Sequence, residues 1–346
     1  MMPVFRQLVL LLILLPLTLH AAPRMVNVYA WTGEVPDFVV RSFEKETGIK
    51  VHLSTYGNNE IMYAKLRASP RSQYDVIMPT SYFVDRMSRQ QMLAPLDKSK
   101  LSNWHNLSPD FINPTYDPHS QYSVPFLWGI TGIFYNKTDY PKGGITKWSN
   151  LWETRFHNQL LMLDDLREMF SIALLSLGYS ANDKNREHIE AAFQHLQKLM
   201  PNVKVFSTDT VVSIVIDEDA TVGAMWNGDA YKAMTENSQI HFVFPQEGFV
   251  IWVDNFSIPK NAPHPAEAYA FIDYILRPEV AKAISLTTSY PTANLTAQTL
   301  LPSKIRHNPT VYPPKSVMKR GQFQLDLGED TLALLETYWE ELKMNG

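Results

Sequence analysis

Five short apolar stretches in this chain each run straight into a polar or aromatic residue. Val26–Ala30 leads into Trp31-Thr32, and Tyr74–Met78 into Pro79-Thr80-Ser81-Tyr82. Leu160–Leu163 leads into Asp164-Asp165, Val222–Met225 into Trp226-Asn227, and Val250–Val253, which carries Trp252, into Asp254. Runs this apolar and this short suit strands covered on both faces, as in a parallel sheet packed between helices. In open α/β sheets a ligand sits in the crevice beyond the carboxyl ends of the strands. Indole faces and carboxylates collected there attract a cation with a partly apolar body.

The segments between these runs complete the pattern. Pro36–Thr47 reads as a helix with Pro in its first turn and Gly48 as its stop, and Asn58–Ala68 as one opened by an Asn cap. With strands at Met25–Ala30, Lys50–Tyr56 and Tyr74–Met78 and a helix over Tyr82–Gln90, this is a βαβαβα unit, which implies right-handed crossovers. Leu93–Trp128, rich in Pro, Asn and Asp, reads as loop and short turns, and Gly129–Tyr135 as a strand crossing between lobes. A second α/β series follows, and Phe249–Ile258 reads as the return crossover. Helices over Pro265–Leu276, Pro278–Leu286 and Thr331–Lys343 close the chain. The expected fold is therefore α/β, a hinged two-lobe clamshell in which each lobe is a mostly parallel sheet flanked by helices. Residues 25–132 and 256–300 are assigned to an N-terminal lobe, and 133–255 and 301–346 to a C-terminal lobe.

Residues 1–22 read as a secretory signal: Arg6 gives a positive start, Leu8–Leu19 is apolar but too short to span a bilayer, and Ala21-Ala22 offers small residues for cleavage. Cysteine is absent, which removes both disulfides and the lipid attachment of a lipoprotein, so a free periplasmic protein is expected. The formal charge of −4 becomes −5 without Arg6. That acidity and the lack of a basic stripe argue against nucleic acid or an anionic membrane as partner.

Each candidate site residue also has a bland reading. Asp165 lies where a helix N-cap belongs with Glu168 three residues later, the spacing of a capping box. Both roles can coexist, because a cap at a strand-to-helix junction still faces the crevice. Trp252 and Asp254, two apart on an extended segment, share one face. Trp31 and Trp226 end strands, where a lone tryptophan is more often core. Thr32, Thr80, Ser81 and Tyr82 offer hydroxyl acceptors but are also ordinary turn and cap residues. Glu34 precedes Pro36 at a helix start, where the macrodipole favours an anion in any case. Tyr290-Pro291-Thr292 and Gln322-Phe323-Gln324 read as loops. The chain lacks a nucleophile elbow, a His-Glu-x-x-His, a P-loop and a dinucleotide fingerprint, and His188 and His195 on a polar helix read as a solvated face. No cofactor or metal is expected.

At these residues the chain resembles the periplasmic spermidine/putrescine-binding proteins of ABC-type polyamine importers. The likeness rests on Tyr29-Ala30-Trp31-Thr32, Glu44-Lys45-Glu46-Thr47-Gly48-Ile49-Lys50-Val51, Met62-Tyr63-Ala64-Lys65-Leu66 and Leu177-Gly178-Tyr179-Ser180. Lys198-Leu199-Met200-Pro201-Asn202-Val203, Trp226-Asn227-Gly228 and Tyr290-Pro291-Thr292 extend it. The resemblance implies a periplasmic-binding-protein clamshell closing on an extended polyamine. Trp31, Thr32, Tyr82, Trp226, Trp252 and Tyr290 would wall the methylene chain, and Asp165 and Glu168 would hold a terminal ammonium. Asp254 would take an inner or second amine, Gln324 the far end, and Thr80 would keep a hydroxyl where the family has a small one. Glu34 departs from the family, which has a tyrosine there. The expected function is a non-enzymatic polyamine receptor, a monomer, delivering ligand to an inner-membrane ABC permease. A polyamine sensor of the same fold that signals through a membrane receptor is the near alternative. A secreted carboxylate-dependent glycoside hydrolase is the alternative of another class.

Overall fold

A computed structural model describes residues 24–69 and 72–345, so the signal read at 1–22 lies outside the described residues. The chain begins with β1 (Met25–Trp31), α1 (Asp37–Thr47), β2 (Lys50–Tyr56), α2 (Asn59–Ala68), β3 (Val76–Ile77) and α3 (Ser81–Arg89). These strands pair in parallel in the order β2-β1-β3. The β1 side chains explain why it is central. Val26, Val28 and Ala30 are fully buried on one face in a cluster with Val39 and Phe43 of α1, while Tyr29 on the other face stacks on Tyr74 at 4.5 Å. Gly48 ends α1 at φ 68 and returns its N–H to the Glu44 carbonyl. A Cβ there would meet nothing, so glycine is required by the left-handed backbone and not by space. Asn58 caps α2 by accepting the Ile61 N–H at 2.8 Å.

The chain then enters β4 (Val124–Asn136), thirteen residues with every side chain buried. It is longer than the strand read over Gly129–Tyr135. Pro125 sits at a register shift between Pro125 and Leu127, and a proline at a bulge removes the local signal of a strand start. Beyond it come β5 (Leu160–Met162), α4 (Leu166–Ser176), α5 (Arg186–Leu199), β6 (Val203–Phe206), α6 (Val211–Ile216), β7 (Val222–Trp226), α7 (Asn227–Glu236), β8 (Ile240–Val243) and β9 (Phe249–Phe256). The return brings α8 (Pro265–Ile275), α9 (Pro278–Thr288), α10 (Leu295–Leu300), β10 (Gly321–Phe323) and a final helix over Glu329–Asn345. Among the described residues the second sheet runs β10-β9-β4-β7-β5-β6, with β8 also on β4. β5 is parallel to both β6 and β7, whereas β4 is antiparallel to β7, β8 and β9.

β4 and β9 form a two-stranded antiparallel span between the lobes. Val124, Phe126 and Phe256 lie in the core that holds β1, and Ile133, Phe134 and Val250 in the core around α4 and β7. A third cluster of Trp128, Ile130, Ile251 and Val253 with Tyr82 and Phe83 bridges them. Isolated antiparallel bridges, Ile77 to Ser257 and Thr80 to Asp254, stitch the end of β3 onto β9. The strand exits thus open onto a slot whose floor is β9, which supplies Trp252 and Asp254. One exit differs from expectation: Asp254 lies inside β9, opposite Leu127 of β4, because β9 keeps its partners as far as Phe256. Gln322 and Phe323 likewise belong to β10, a three-residue strand too short to show a period.

Candidate functional site

A narrow slot lies between the lobes, lined by Trp31, Glu34, Asn59, Thr80, Tyr82, Asp165, Glu168, Trp226, Trp252, Asp254, Tyr290 and Gln324. It holds about 450 Å³ of atom-free space. A wider open groove past Leu66, Gln90 and Lys260 has about 960 Å³ but no carboxylate in its lining. Size alone does not mark the site.

From the first lobe, Trp31 at the end of β1 packs on Tyr56 at 4.9 Å, and Glu34 follows on the turn into α1. Thr80 at the start of α3 donates its hydroxyl to Asp254 Oδ1 at 2.6 Å. Asn59 braces this contact from α2. Its Oδ1 accepts the Thr80 N–H at 3.1 Å, and its Nδ2 reaches Thr80 Oγ1 at 3.0 Å and the Tyr82 hydroxyl at 3.3 Å. Tyr82 in turn donates to Glu60 Oε1 at 3.3 Å. Sequence reasoning missed Asn59, because Asn58 already satisfied the cap and nothing in the spacing marks the next residue as turned inward. Two expected residues are not in the lining. Thr32 is exposed and donates to the Tyr56 carbonyl, and Ser81 is buried against the Gln324 carbonyl at 3.2 Å.

From the second lobe, Asp165 does cap α4: its Oδ1 accepts the Glu168 N–H at 2.9 Å. Glu168 is buried and turns its carboxylate into the slot, where Oε2 has no hydrogen-bonding partner. The capping geometry and the slot therefore share the same two residues. Trp252 stands between Trp226 at 6.2 Å and Tyr290 at 5.1 Å, both edge-to-face. Two glycines make room for this row. A Cβ on Gly129 would come within 2.2 Å of the Trp252 ring, and one on Gly228 within 2.2 Å of Tyr290. Tyr290 donates its hydroxyl to Asp229 Oδ2 at 2.8 Å, a carboxylate that sequence reasoning left unnoticed behind the wall. Arg167 of α4 is buried with its guanidinium 5.6 Å from the Tyr82 ring centre.

Burial governs the titration of these groups. Asp254 is pushed up to about 7 by burial, against the opposing effect of the Thr80 hydroxyl and of Glu34 and Trp31 alongside. Glu34 is raised well above the usual carboxylate range, first by burial and then by the Asp254 charge. Glu168 rises to about 8 through burial and the charge of Asp165, and Glu60 to about 7 for the same two reasons. Asp229 rises to about 6 by burial, the Tyr290 bond resisting. Burial also raises Asp165 and lowers Arg167. The indole N–H groups of Trp31, Trp226 and Trp252 make no aligned hydrogen bond. Chemically, the slot offers carboxyl and amide acceptors, flat apolar walls, and acids whose hold on their protons burial has strengthened.

A family model for bacterial extracellular solute-binding proteins matches residues 39–313. The spermidine/putrescine-binding periplasmic protein of Salmonella typhimurium is 42% identical over 315 residues, covering 91% of this chain and 90% of that protein. The putrescine/agmatine-binding protein of Pseudomonas aeruginosa is 34% identical over 316 residues, 86% of each chain. A solved structure from Listeria monocytogenes superposes with a TM-score of 0.90 at 34% identity, covering 93% of this chain and 100% of that one. The spermidine/putrescine ABC transporter substrate-binding protein of Streptococcus pneumoniae superposes at 0.79 with 31% identity, covering 93% and 99%. Among the described residues no helix is long and apolar enough to cross a membrane. The protein is periplasmic, the location that the Salmonella relative carries in its name. Two lobes, a crossover pair and a ligand-sized slot at the strand exits agree with these matches, and the chain belongs to the bacterial extracellular solute-binding proteins.

Proposed function

We propose that this protein binds a polyamine, spermidine or putrescine, without turning it over, and presents it as a monomer to an inner-membrane ABC permease. The lobes would be 25–132 with 256–300 and 133–255 with 301–346, closing on the ligand because it touches both. The observation that carries the reading is a narrow aromatic slot with carboxyls contributed by both lobes. Each charge-assisted hydrogen bond to an ammonium contributes roughly 1.5–3 kcal/mol, and each cation–π contact about 0.5–2 kcal/mol. The indole and phenol faces of Trp31, Tyr82, Trp226, Trp252 and Tyr290 would cover the methylenes and exclude water, which strengthens the charge pairs. Thr80 and Asn59 would hold Asp254 in place, and Gln324 would meet one end of the ligand. The Salmonella and Pseudomonas proteins, which carry spermidine/putrescine and putrescine/agmatine in their names, support this ligand class. Titration calorimetry against spermidine, putrescine, cadaverine and a neutral sugar tests it. Binding of the amines without the sugar is the expected result, and heat from the sugar with none from the amines would remove the proposal.

A further inference from the structure

We propose, resting on the polyamine reading above, that Glu34 sets the preference of this protein for a triamine over a diamine, by supplying a second carboxylate beside Asp254. Glu34 reaches the slot from the turn after β1, and Asp254 from the middle of β9, so the pair joins the exit of one lobe to the crossover floor. Their surroundings give the pair its character. Asp254 is 4% exposed and already accepts the Thr80 hydroxyl at 2.6 Å. Glu34 Oε2 is buried without a hydrogen-bonding partner, and Trp252, 6% exposed and lining the same slot, keeps an indole N–H equally unpartnered. The groups that act on Glu34 are Asp254 from β9 and Asp229 from α7, and its own charge acts on the Tyr56 hydroxyl of β2 and the Tyr290 hydroxyl beyond α9. All of these are acids. The buried guanidinium of Arg167 acts instead on Asp165, Glu168 and Glu60.

Two carboxyls side by side in a buried site without a cation do not both ionise. In the empty slot Glu34 therefore keeps its proton and lies against the Asp254 carboxylate. A diamine presents two ammonium groups. One pairs with Asp165 and Glu168, the other with Asp254, and Glu34 stays neutral. A triamine brings a third buried charge, which is unfavourable unless a further anion meets it. Glu34 is positioned to be that anion: its carboxyl O–H bond breaks, the proton passes to bulk water, and the carboxylate pairs with the added ammonium. Its neutral form tolerates the smaller ligand, and its charged form favours the larger.

The experiment is calorimetry of the full mature chain and of Glu34→Gln with spermidine and with putrescine at pH 7.5. Each titration is repeated in two buffers of different ionisation enthalpy, so that protons released per ligand are counted. In the wild type, spermidine is expected to release more protons than putrescine. In Glu34→Gln that difference disappears, and the ratio of spermidine to putrescine affinity falls about tenfold, the loss of one charge-assisted bond. The proton count is read on the wild type itself and does not depend on the variant folding. Equal proton release for the two ligands, or an equal loss of both affinities in Glu34→Gln, overturns the assignment. A wild type that binds neither amine removes the polyamine reading and this inference with it.

Discussion

Two groups of acids face the same slot in different settings. Asp165 and Glu168 stand at the first turn of α4, where the backbone N–H of Glu168 and the helix dipole already favour negative charge, with Arg167 buried beside them. Asp254 and Glu34 come from a strand and a turn, and a hydroxyl from Thr80 is the hydrogen bond that steadies Asp254. The first group has a cation built in beside it, although burial still raises Glu168 to about 8. The second has no cation acting on it and is left to protonation alone until a ligand arrives. The contrast shows what a fixed guanidinium adds to a strongly acidic site: both groups hold protons while the slot is empty, but one also stands beside a permanent positive charge.

The sharpest way to break this contrast is to remove the fixed charge. Arg167→Met leaves Asp165, Glu168 and Glu60 without their cation and is expected to destabilise the empty protein by about 3–5 kcal/mol, as for other broken buried charge pairs. Spermidine should restore more stability to this variant than to the wild type, because it replaces the missing charge. Urea unfolding with and without ligand measures both, and a variant as stable as wild type at pH 8 would show that Arg167 compensates nothing.

The next effect belongs to protonation. Glu168, Glu60, Asp254 and Asp229 all hold protons in the folded state that the unfolded chain, with ordinary carboxyls, has already released. More protons on the folded state mean stability that falls as pH rises. The decline should run from about pH 4.5 to about pH 8, where the last of these groups loses its proton. It should reach at least about 2 kcal/mol, since each tenfold gain in a carboxyl's proton affinity on folding corresponds to roughly 1.4 kcal/mol. Saturating polyamine should flatten the slope in part, since the bound state ionises the two of these acids that line the slot, Glu168 and Asp254. A set of denaturation curves across pH 5–9 gives the answer, and an empty protein that gains stability over that range would contradict the assignment of these acids to a dry site.

What could be read from the chain alone follows from how local each signal is. Gly48 as a stop, Asn58 as a cap and the strand exits at Trp31, Thr80, Asp165 and Trp226 depend on a few neighbouring residues, and their positions in the fold match the pattern. Trp252 and Asp254 share a face because alternation along a strand is equally local. Thr32 and Ser81 fell outside the lining because side-chain direction in a turn has no period to follow. Asn59 and Asp229 were invisible for another reason: each is placed by a partner far along the chain, Thr80 for one and Tyr290 for the other. The start of β4 was masked by Pro125, and β10 exists only through its pairing with β9.

The smallest expected effect separates the two duties of Asp165. As a cap it contributes through an oxygen that accepts the Glu168 N–H, and asparagine offers the same oxygen. Asp165→Asn should therefore keep the cap's own contribution to within about 0.5 kcal/mol, so any larger loss of unfolding stability reports the missing anion beside Arg167. As an anion it faces Arg167, and its loss leaves Glu168 and Glu60 to balance that guanidinium. The pull of this group on an ammonium then falls, and polyamine affinity should drop about tenfold, close to 1.4 kcal/mol. Asp254→Asn makes the matching comparison. There the neighbouring Glu34 no longer feels a charge beside it and ionises more readily, so a diamine should lose less than it does with Asp165→Asn. If the two substitutions weaken putrescine equally, the acids on β9 and the turn after β1 do not share a proton, and the distinction between a compensated and a self-protonating group fails.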